Sequence, residues 1–247
     1  MSSSSSAAPV GLDAVFPIAR GFLDARPADP VALPYGGALP PVSAALRADL
    51  RSAWNLDVVH EPAAPDPLAS RAFGILYGHL RAEQVVLALS ARTNLTLAGG
   101  TVRIVGDGPL AAALTTVLRR LGAAVVRATD DPTERLAARL DGVRVEAVAA
   151  VGAAPLTVLT GVGHDGVTAF DVQGLVADAS PRPVDATDLP SSRPHVRTTL
   201  NGSLVEIPPS LPVEGEPPTA AQLRLADALI AALISGADAP FASAVTP

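Results

Sequence analysis

Thr101-Val-Arg-Ile-Val105, Gly106-Asp-Gly-Pro-Leu-Ala111, Ala112-Ala-Leu-Thr-Thr-Val-Leu-Arg-Arg-Leu121 and Gly122-Ala-Ala-Val-Val-Arg-Ala-Thr-Asp-Asp-Pro132 follow one another without a break. The first run reads as a buried strand and the third as an amphipathic helix. A glycine turn joins them, and a second strand ends on polar residues. Strand, glycine turn, helix and strand in this order predict a dinucleotide-binding βαβ unit, with Ala111 at the third glycine position.

At that turn Gly106 permits the sharp reversal and Gly108 lets the backbone approach a pyrophosphate. The helix opening at Pro109 and Leu110 aims free N–H groups and its positive dipole end at the anion. Asp107 sits between the glycines, where its charge does not help to hold phosphate. The bland alternative is a tight strand-to-helix turn with no ligand. An acidic residue at the end of the second strand is expected on the adenosine ribose. Asp130 is the choice for that contact, while Asp131, ahead of Pro132, is also placed to cap the next helix. Arg127 and Thr129 leave a phosphorylated ribose open, so NAD is preferred with NADP not excluded.

Composition narrows the class. The 247 residues are 49% hydrophobic but only 3% aromatic, so Ala, Val and Leu must build the core. All 18 basic residues are arginine, which points to a GC-rich genome more than to a function. A net charge of -6 argues against a nucleic-acid partner, which needs a basic face. Cysteine is absent, which excludes disulfides, thiolate catalysis and cysteine-ligated zinc. No apolar run is long enough to span a bilayer, and no membrane partner is expected. Residues 1–10, with the Ser2–Ser6 run, read as a disordered tail without a signal peptide, so the expected location is cytoplasmic.

Around the central unit, strands alternate with helices. A short helix is predicted around Asp13–Arg20, with Val15, Phe16 and Ala19 inward. A clearer one spans Ser43–Trp54, with Ser43 as N-cap and Ala45, Leu46, Leu50 and Trp54 on one stripe. The strand Leu56–His60 follows, and then Glu61–Pro67, with three prolines in seven residues, reads as a loop. Ala72–Thr93 is helical, with Gly78 as a candidate break. Beyond Pro132 come a helix over Thr133–Leu140, strands over Val143–Ala149 and Pro155–Leu159, a helix over Thr168–Leu175, and a strand or its exit at Val176–Ser180. Asn201-Gly202 signals a hairpin adding an antiparallel edge. Ala220–Leu233 closes the chain as a helix stopped by Ser235-Gly236. The fold class is α/β, a Rossmann-like, mainly parallel sheet. It carries a reduced second lobe from residues 11–75 and 208–247, beside a dinucleotide-binding domain over 76–207.

Thr160-Gly161-Val-Gly-His164-Asp165 lies at the carboxyl end of a predicted strand, where open α/β sheets bind ligands. His164 is the candidate proton donor or acceptor, with Asp165 orienting or charging it. The alternative is a solvent-facing loop with an aspartate cap. His60, His79 and His195 read as structural or exposed, and no spacing suggests a metal site. No serine has the glycine surroundings of a hydrolase nucleophile.

With these residues in view, the chain resembles the S-adenosylhomocysteine hydrolase family. Leu76-Tyr77-Gly78, Glu83-Gln84, Thr93-Asn94, Leu97-Ala-Gly-Gly100 and the turn at Gly106 fall in the order that family uses on entering its NAD domain. Leu121-Gly-Ala, Asp131-Pro132 and Thr160-Gly161 continue the likeness, and Ser43–Val59 is similar to part of its substrate domain. The resemblance implies the fold and a bound NAD, with Thr93, Asn94, Thr160 and Gly161 on the cofactor. It does not imply the family's hydrolysis. The family's lysine and aspartate fall nearest Ser70 and Gly74, its substrate-side histidine near Ala38, and its ribose-binding glutamate at Thr129. Its asparagine-isoleucine-glycine-histidine stretch is replaced around Val176–Ser180, and its C-terminal lysine and tyrosine have no counterpart.

Three function classes follow. The first is an NAD(H)-dependent enzyme moving a hydride at an alcohol or imine carbon of a small polar metabolite. The second is a non-catalytic binding module that kept the fold, and the third a non-redox cyclase or lyase using the same cleft. A homodimer is an expectation from the Ala- and Leu-rich closing helix, which an intramolecular core explains equally well.

Overall fold

A computed structural model describes residues 11–149, 154–163 and 167–236. The expected tail over residues 1–10 lies outside them, as do His164, Asp165 and the last residues of the expected second lobe.

The amino-terminal part is a small layer built around a parallel pair of strands. Helices α1 (Leu12–Val15) and α2 (Pro17–Gly21) replace the single helix expected there. Phe16 stands between them outside the helical region, which Pro17 behind it disfavours. Strand β1 (Val31–Tyr35), helix α3 (Ala44–Trp54) and strand β2 (Leu56–His60) follow, with Val31 paired to Leu56 and Tyr35 to His60. Ser43 caps α3 as expected, its Oγ accepting from the Leu46 amide at 3.3 Å. Leu46, Leu50 and Trp54 are buried, whereas Ala45 is exposed and leaves the stripe. The periodicity missed β1 because Pro34 and the flanking prolines read as loop.

A 3₁₀ turn (Pro67–Ala69) leads into α4 (Arg71–Arg92), an unbroken helix of 22 residues. Gly78 does not break it. A Cβ there would meet the Pro109 carbonyl oxygen at 2.6 Å, so the residue permits close packing of two helices.

The main sheet holds β3 (Thr101–Val105), β4 (Ala124–Ala128), β5 (Arg144–Glu146), β6 (Ala154–Leu159), β7 (Gly174–Asp178), β8 (Ser191–Arg193), β9 (Val196–Thr198) and β10 (Gly202–Val205). Its order is β5-β4-β3-β6-β7-β10-β9-β8. The first six are parallel neighbours, and β9 and β8 add an antiparallel edge. Numbered by their own succession, those six run 3-2-1-4-5-6, the doubly wound order of dinucleotide-binding sheets. Winding reverses between β3 and β6. The expected hairpin at Asn201-Gly202 is present between β9 and β10, but β10 itself is the sixth parallel strand.

Helices α5 (Gly108–Arg120) and α6 (Pro132–Leu140) link β3, β4 and β5. Thr168–Leu175 is no helix: Asp171 turns back on the Thr168 amide and hydroxyl, and Gly174 already begins β7. Helix α7 (Ala220–Ser235) starts with a reciprocal Thr219–Gln222 capping box and stops at left-handed Gly236. Leu225, Ala226, Leu229 and Ile230 of α7 are fully buried, so its apolar composition is spent inside the chain. One core joins α3, α4, α5 and α7 to the sheet face of Ile104, Leu156 and Val158. The opposite face is covered by a smaller cluster in which Ala169, Val172 and Ala186 pack on Val105, Leu159 and Val176. Among the described residues no helix is long and apolar enough to cross a membrane.

Candidate functional site

The reversal of winding puts the β3–α5 turn beside the loop after β6, at the carboxyl ends of the strands. Gly106 and Gly108 hold φ of 110° and 81°, left-handed values that L side chains avoid. Nothing lies within 4 Å of the Cβ position of Gly108, so the backbone is open to a ligand there. Asp107 occupies the N-cap of α5 yet makes no side-chain capping bond, and Pro109 has no amide hydrogen to satisfy. The first turn of this 13-residue helix therefore presents uncapped amides, with Gly108 and Leu110 lining a cleft of about 300 Å³.

The second loop interlocks with the first. The Asp107 amide donates to Val162 O at 3.0 Å, and the Thr160 amide to Val105 O at 3.0 Å. Thr160 is buried, and its hydroxyl donates to Val105 O at 3.2 Å. Gly163 is pressed against the Asp107 carboxylate, and a Cβ on Gly161 would stand 2.6 Å from Ser180 Cβ. Arg127 of β4, itself buried, donates to Gly106 O at 3.2 Å and to Glu134 Oε2 at 3.0 Å, with Asp107 Oδ1 at 3.9 Å. Burial pushes the Asp107 carboxyl above its ordinary value. A Thr129 hydrogen bond and Arg127 oppose this, while Glu134 and Asp131 add to it.

Ala38, Asp66, Gly74, Tyr77 and Pro181 close the cleft from the other side. Next to Pro181 in sequence, Arg182 donates through Nε to Leu39 O at 3.1 Å and through Nη2 toward His60 Nε2 at 2.8 Å.

The structure thus brings together Gly106, Asp107, Gly108, Pro109, Leu110, Thr160 and Gly161. Thr129 is fully buried beneath the turn, its oxygen accepting from the Asp131 amide at 3.1 Å. Asp131 caps α6 through the Thr133 and Glu134 amides. Asp130 is exposed, with one carboxylate oxygen on the Val148 amide at 3.1 Å, in a shallow depression it shares with Arg135 and Arg139. Thr93 and Asn94 are not at the cleft. They follow the far end of α4, roughly 22 Å along the helix from Gly78, and the Thr93 hydroxyl bonds back to Leu89 O.

Of the positions where the resemblance expects catalytic groups, Ala38 and Gly74 line the cleft but bring no functional group. Ser70 caps α4, its Oγ accepting from Phe73 N at 3.3 Å. Sequence reasoning missed Asp66, Tyr77 and Pro181 as cleft residues. Asp66 lay hidden in a proline run, and Tyr77 read as one more apolar helix residue.

No family model matches the sequence, and no curated protein does. Among solved structures the chain is similar to a dipicolinate synthase component from Bacillus halodurans, at 13% identity and TM-score 0.44 over 82% of this chain and 66% of that one. It is similar to a transhydrogenase from Sinorhizobium meliloti at 14% identity and TM-score 0.48, covering 88% of this chain and 76% of that one. The dipicolinate synthase of Bacillus subtilis gives 13% identity and TM-score 0.45 over 82% and 65%. The chain spans just under two thirds of both dipicolinate synthase polypeptides. Overlaps at this level carry no activity, substrate or partner to this chain.

Proposed function

We propose that the chain binds a nicotinamide dinucleotide across the β3–β6 switch point and serves hydride transfer on a small polar metabolite. One observation carries the reading: an uncapped helix N-terminus and two left-handed glycines stand where a 3-2-1-4-5-6 parallel sheet reverses its winding. The residues fit the diphosphate. Gly108 leaves open space for its approach, and the Gly108 and Leu110 amides supply donors. The bound cofactor would supply or accept the hydride.

The chain's own contributions are positional. Gly106 and Gly108 admit the diphosphate, and Thr160 holds the neighbouring loop against β3. Asp107 opposes the diphosphate charge, and its burial, which favours the neutral carboxyl, reduces that opposition. On the ribose side, Asp130 keeps one carboxylate oxygen beyond its bond to Val148. Thr129 and the nearby Arg135 and Arg139 give no reason to choose NAD over NADP. His164 and Asp165 remain the proposed proton-handling pair on the loop after β6. A homodimer stays a proposal too, to be read from the mass in solution.

The binding-module reading draws on one feature, the absence of a functional group at Ala38 and Gly74. Mass spectrometry of small molecules released from the denatured protein, with thermal shifts for NAD, NADH, NADP and NADPH, tests the proposal. A co-purified or stabilising nicotinamide nucleotide supports it. Neither in any of the four cases removes it.

A further inference from the structure

Tyr77 reaches the cleft from α4 and is only 4% exposed. Its hydroxyl is buried, and no acceptor for its proton lies within hydrogen-bond distance among the described residues, while Arg81 stands beside the phenol oxygen as a donor. One helical turn on, Arg81 is fully buried, and four of its five N–H groups serve other oxygens. It donates to Ala179 O at 3.0 Å, Gln84 Oε1 at 2.8 Å, Pro208 O at 2.7 Å and Ser180 O at 2.8 Å. A guanidinium carries donors only, so beside a phenol it can serve the oxygen and never accept the proton. The phenolic hydrogen is therefore left over whatever Arg81 does. Burial raises the hydroxyl's pKa far above the ordinary 10.0, with Arg81 opposing and Asp178 reinforcing, so Tyr77 is a neutral donor.

The remaining polar groups of the cleft define what could use that donor. The positive end of the α5 dipole, whose Gly108 and Leu110 amides are given to the diphosphate, favours a further anionic group beside it. Asp66 spends Oδ1 on the Leu68 amide at 2.9 Å and keeps its other oxygen. A volume near 300 Å³ admits a molecule of few heavy atoms.

We propose that Tyr77 marks a substrate subsite in which its O–H donates to the carboxylate of a small hydroxy or amino acid, whose hydroxyl or amino end faces Asp66. This deepens the nucleotide-site reading and rests on the same cleft, but the subsite is testable without nucleotide.

The chain has two tyrosines, Tyr35 and Tyr77. Tyr35 donates to Pro40 O at 2.8 Å and accepts from Val42 N at 3.0 Å, so it serves as an internal control. Labelling with 3-fluorotyrosine, with Tyr35→Phe for assignment, gives one ¹⁹F resonance per site. Glycolate, lactate, glycine and alanine are titrated in turn, and NADH separately. At least one acid is expected to move the Tyr77 resonance saturably and leave Tyr35 unmoved. Tyr77→Phe should weaken that acid about tenfold or more while leaving NADH affinity within about twofold. An unmoved Tyr77 resonance with all four acids overturns the subsite, and does so on the wild-type chain even if Tyr77→Phe folds poorly. Equal acid affinity in Tyr77→Phe overturns it too. A resonance moved by NADH and by no acid assigns the phenol to the dinucleotide and overturns it as well. Acid binding without nucleotide binding keeps the subsite and removes the nucleotide proposal.

Discussion

A Cβ on Gly78 would stand 2.6 Å from the carbonyl oxygen of Pro109, so α4 crosses the first turn of α5 at backbone contact. The helix whose N-terminus forms the candidate site is thereby located by a neighbour that tolerates no side chain. Gly78→Ala must push the turn away, at a cost of about 1–3 kcal/mol. Gly74→Ala, whose Cβ would meet the Pro109 ring at 3.2 Å, should cost less. Urea denaturation of the two variants orders them, and nucleotide affinity should fall further in Gly78→Ala.

The Asp107 carboxyl gives the site a pH dependence. Its pKa is raised in the free protein, first by burial, and a bound diphosphate beside it would raise it further. Binding therefore takes up protons, and affinity strengthens as pH falls toward the raised value. Asp107→Asn should bind the nucleotide at least as tightly as wild type near pH 7 and lose this dependence. Titrations across pH with both proteins check the sign.

Glu206 carries the opposite linkage. Burial alone would raise its carboxyl, but the hydrogen bonds and charges of Arg197, at 2.5 Å, and His195, at 3.2 Å, outweigh it and hold the pKa below 4.5. The group therefore contributes stability that is present above 4.5 and is lost as pH falls through the depressed value. Glu206→Gln should cost roughly 1 kcal/mol near pH 7 and nothing in acid, measured by denaturation at the two extremes.

Asp227 of α7 holds the start of α2 from a distance, accepting from the Ile18 amide at 3.1 Å and the Ala19 amide at 2.7 Å. Asp227→Ala leaves both donors without their acceptor, and a loss of about 2–4 kcal/mol is expected. Burial raises the Asp227 carboxyl, against the two amide bonds. The folded state thus holds its proton more tightly than the unfolded one. Its contribution is full below the ordinary 3.8 and declines as pH rises through the raised value, a decline that Asp227→Asn should remove.

The βαβ unit was legible because each of its parts is local. Apolar runs, two glycines and an aspartate cap speak through neighbours in sequence. Ser43, Asn201-Gly202 and Gly236 were readable for the same reason. Gly78 was misread as a helix break because its reason is Pro109, distant in sequence and invisible to a periodicity. Strand β1 was missed because its partner β2 lies beyond α3 and its prolines mimic a loop. The cleft was half legible. Its glycine side is a motif, whereas Asp66, Tyr77 and Pro181 converge from separate segments. Arg81 and Gln84, following Tyr77 on the buried face of α4, were the available signal of a buried polar network. Thr93 and Asn94 were assigned by order in the chain, and α4 carries them to its far end.

Gly108 decides the central claim. Calorimetric titration of the wild-type chain with NAD(H) and NADP(H) should show saturable binding of at least one nucleotide, one molecule per chain. Gly108→Ala puts a methyl into open space at φ 81°, costing roughly 1–2 kcal/mol of stability, and should weaken that binding more than about tenfold. No heat with any of the four nucleotides, or unchanged affinity in a folded Gly108→Ala, would contradict a dinucleotide at this turn.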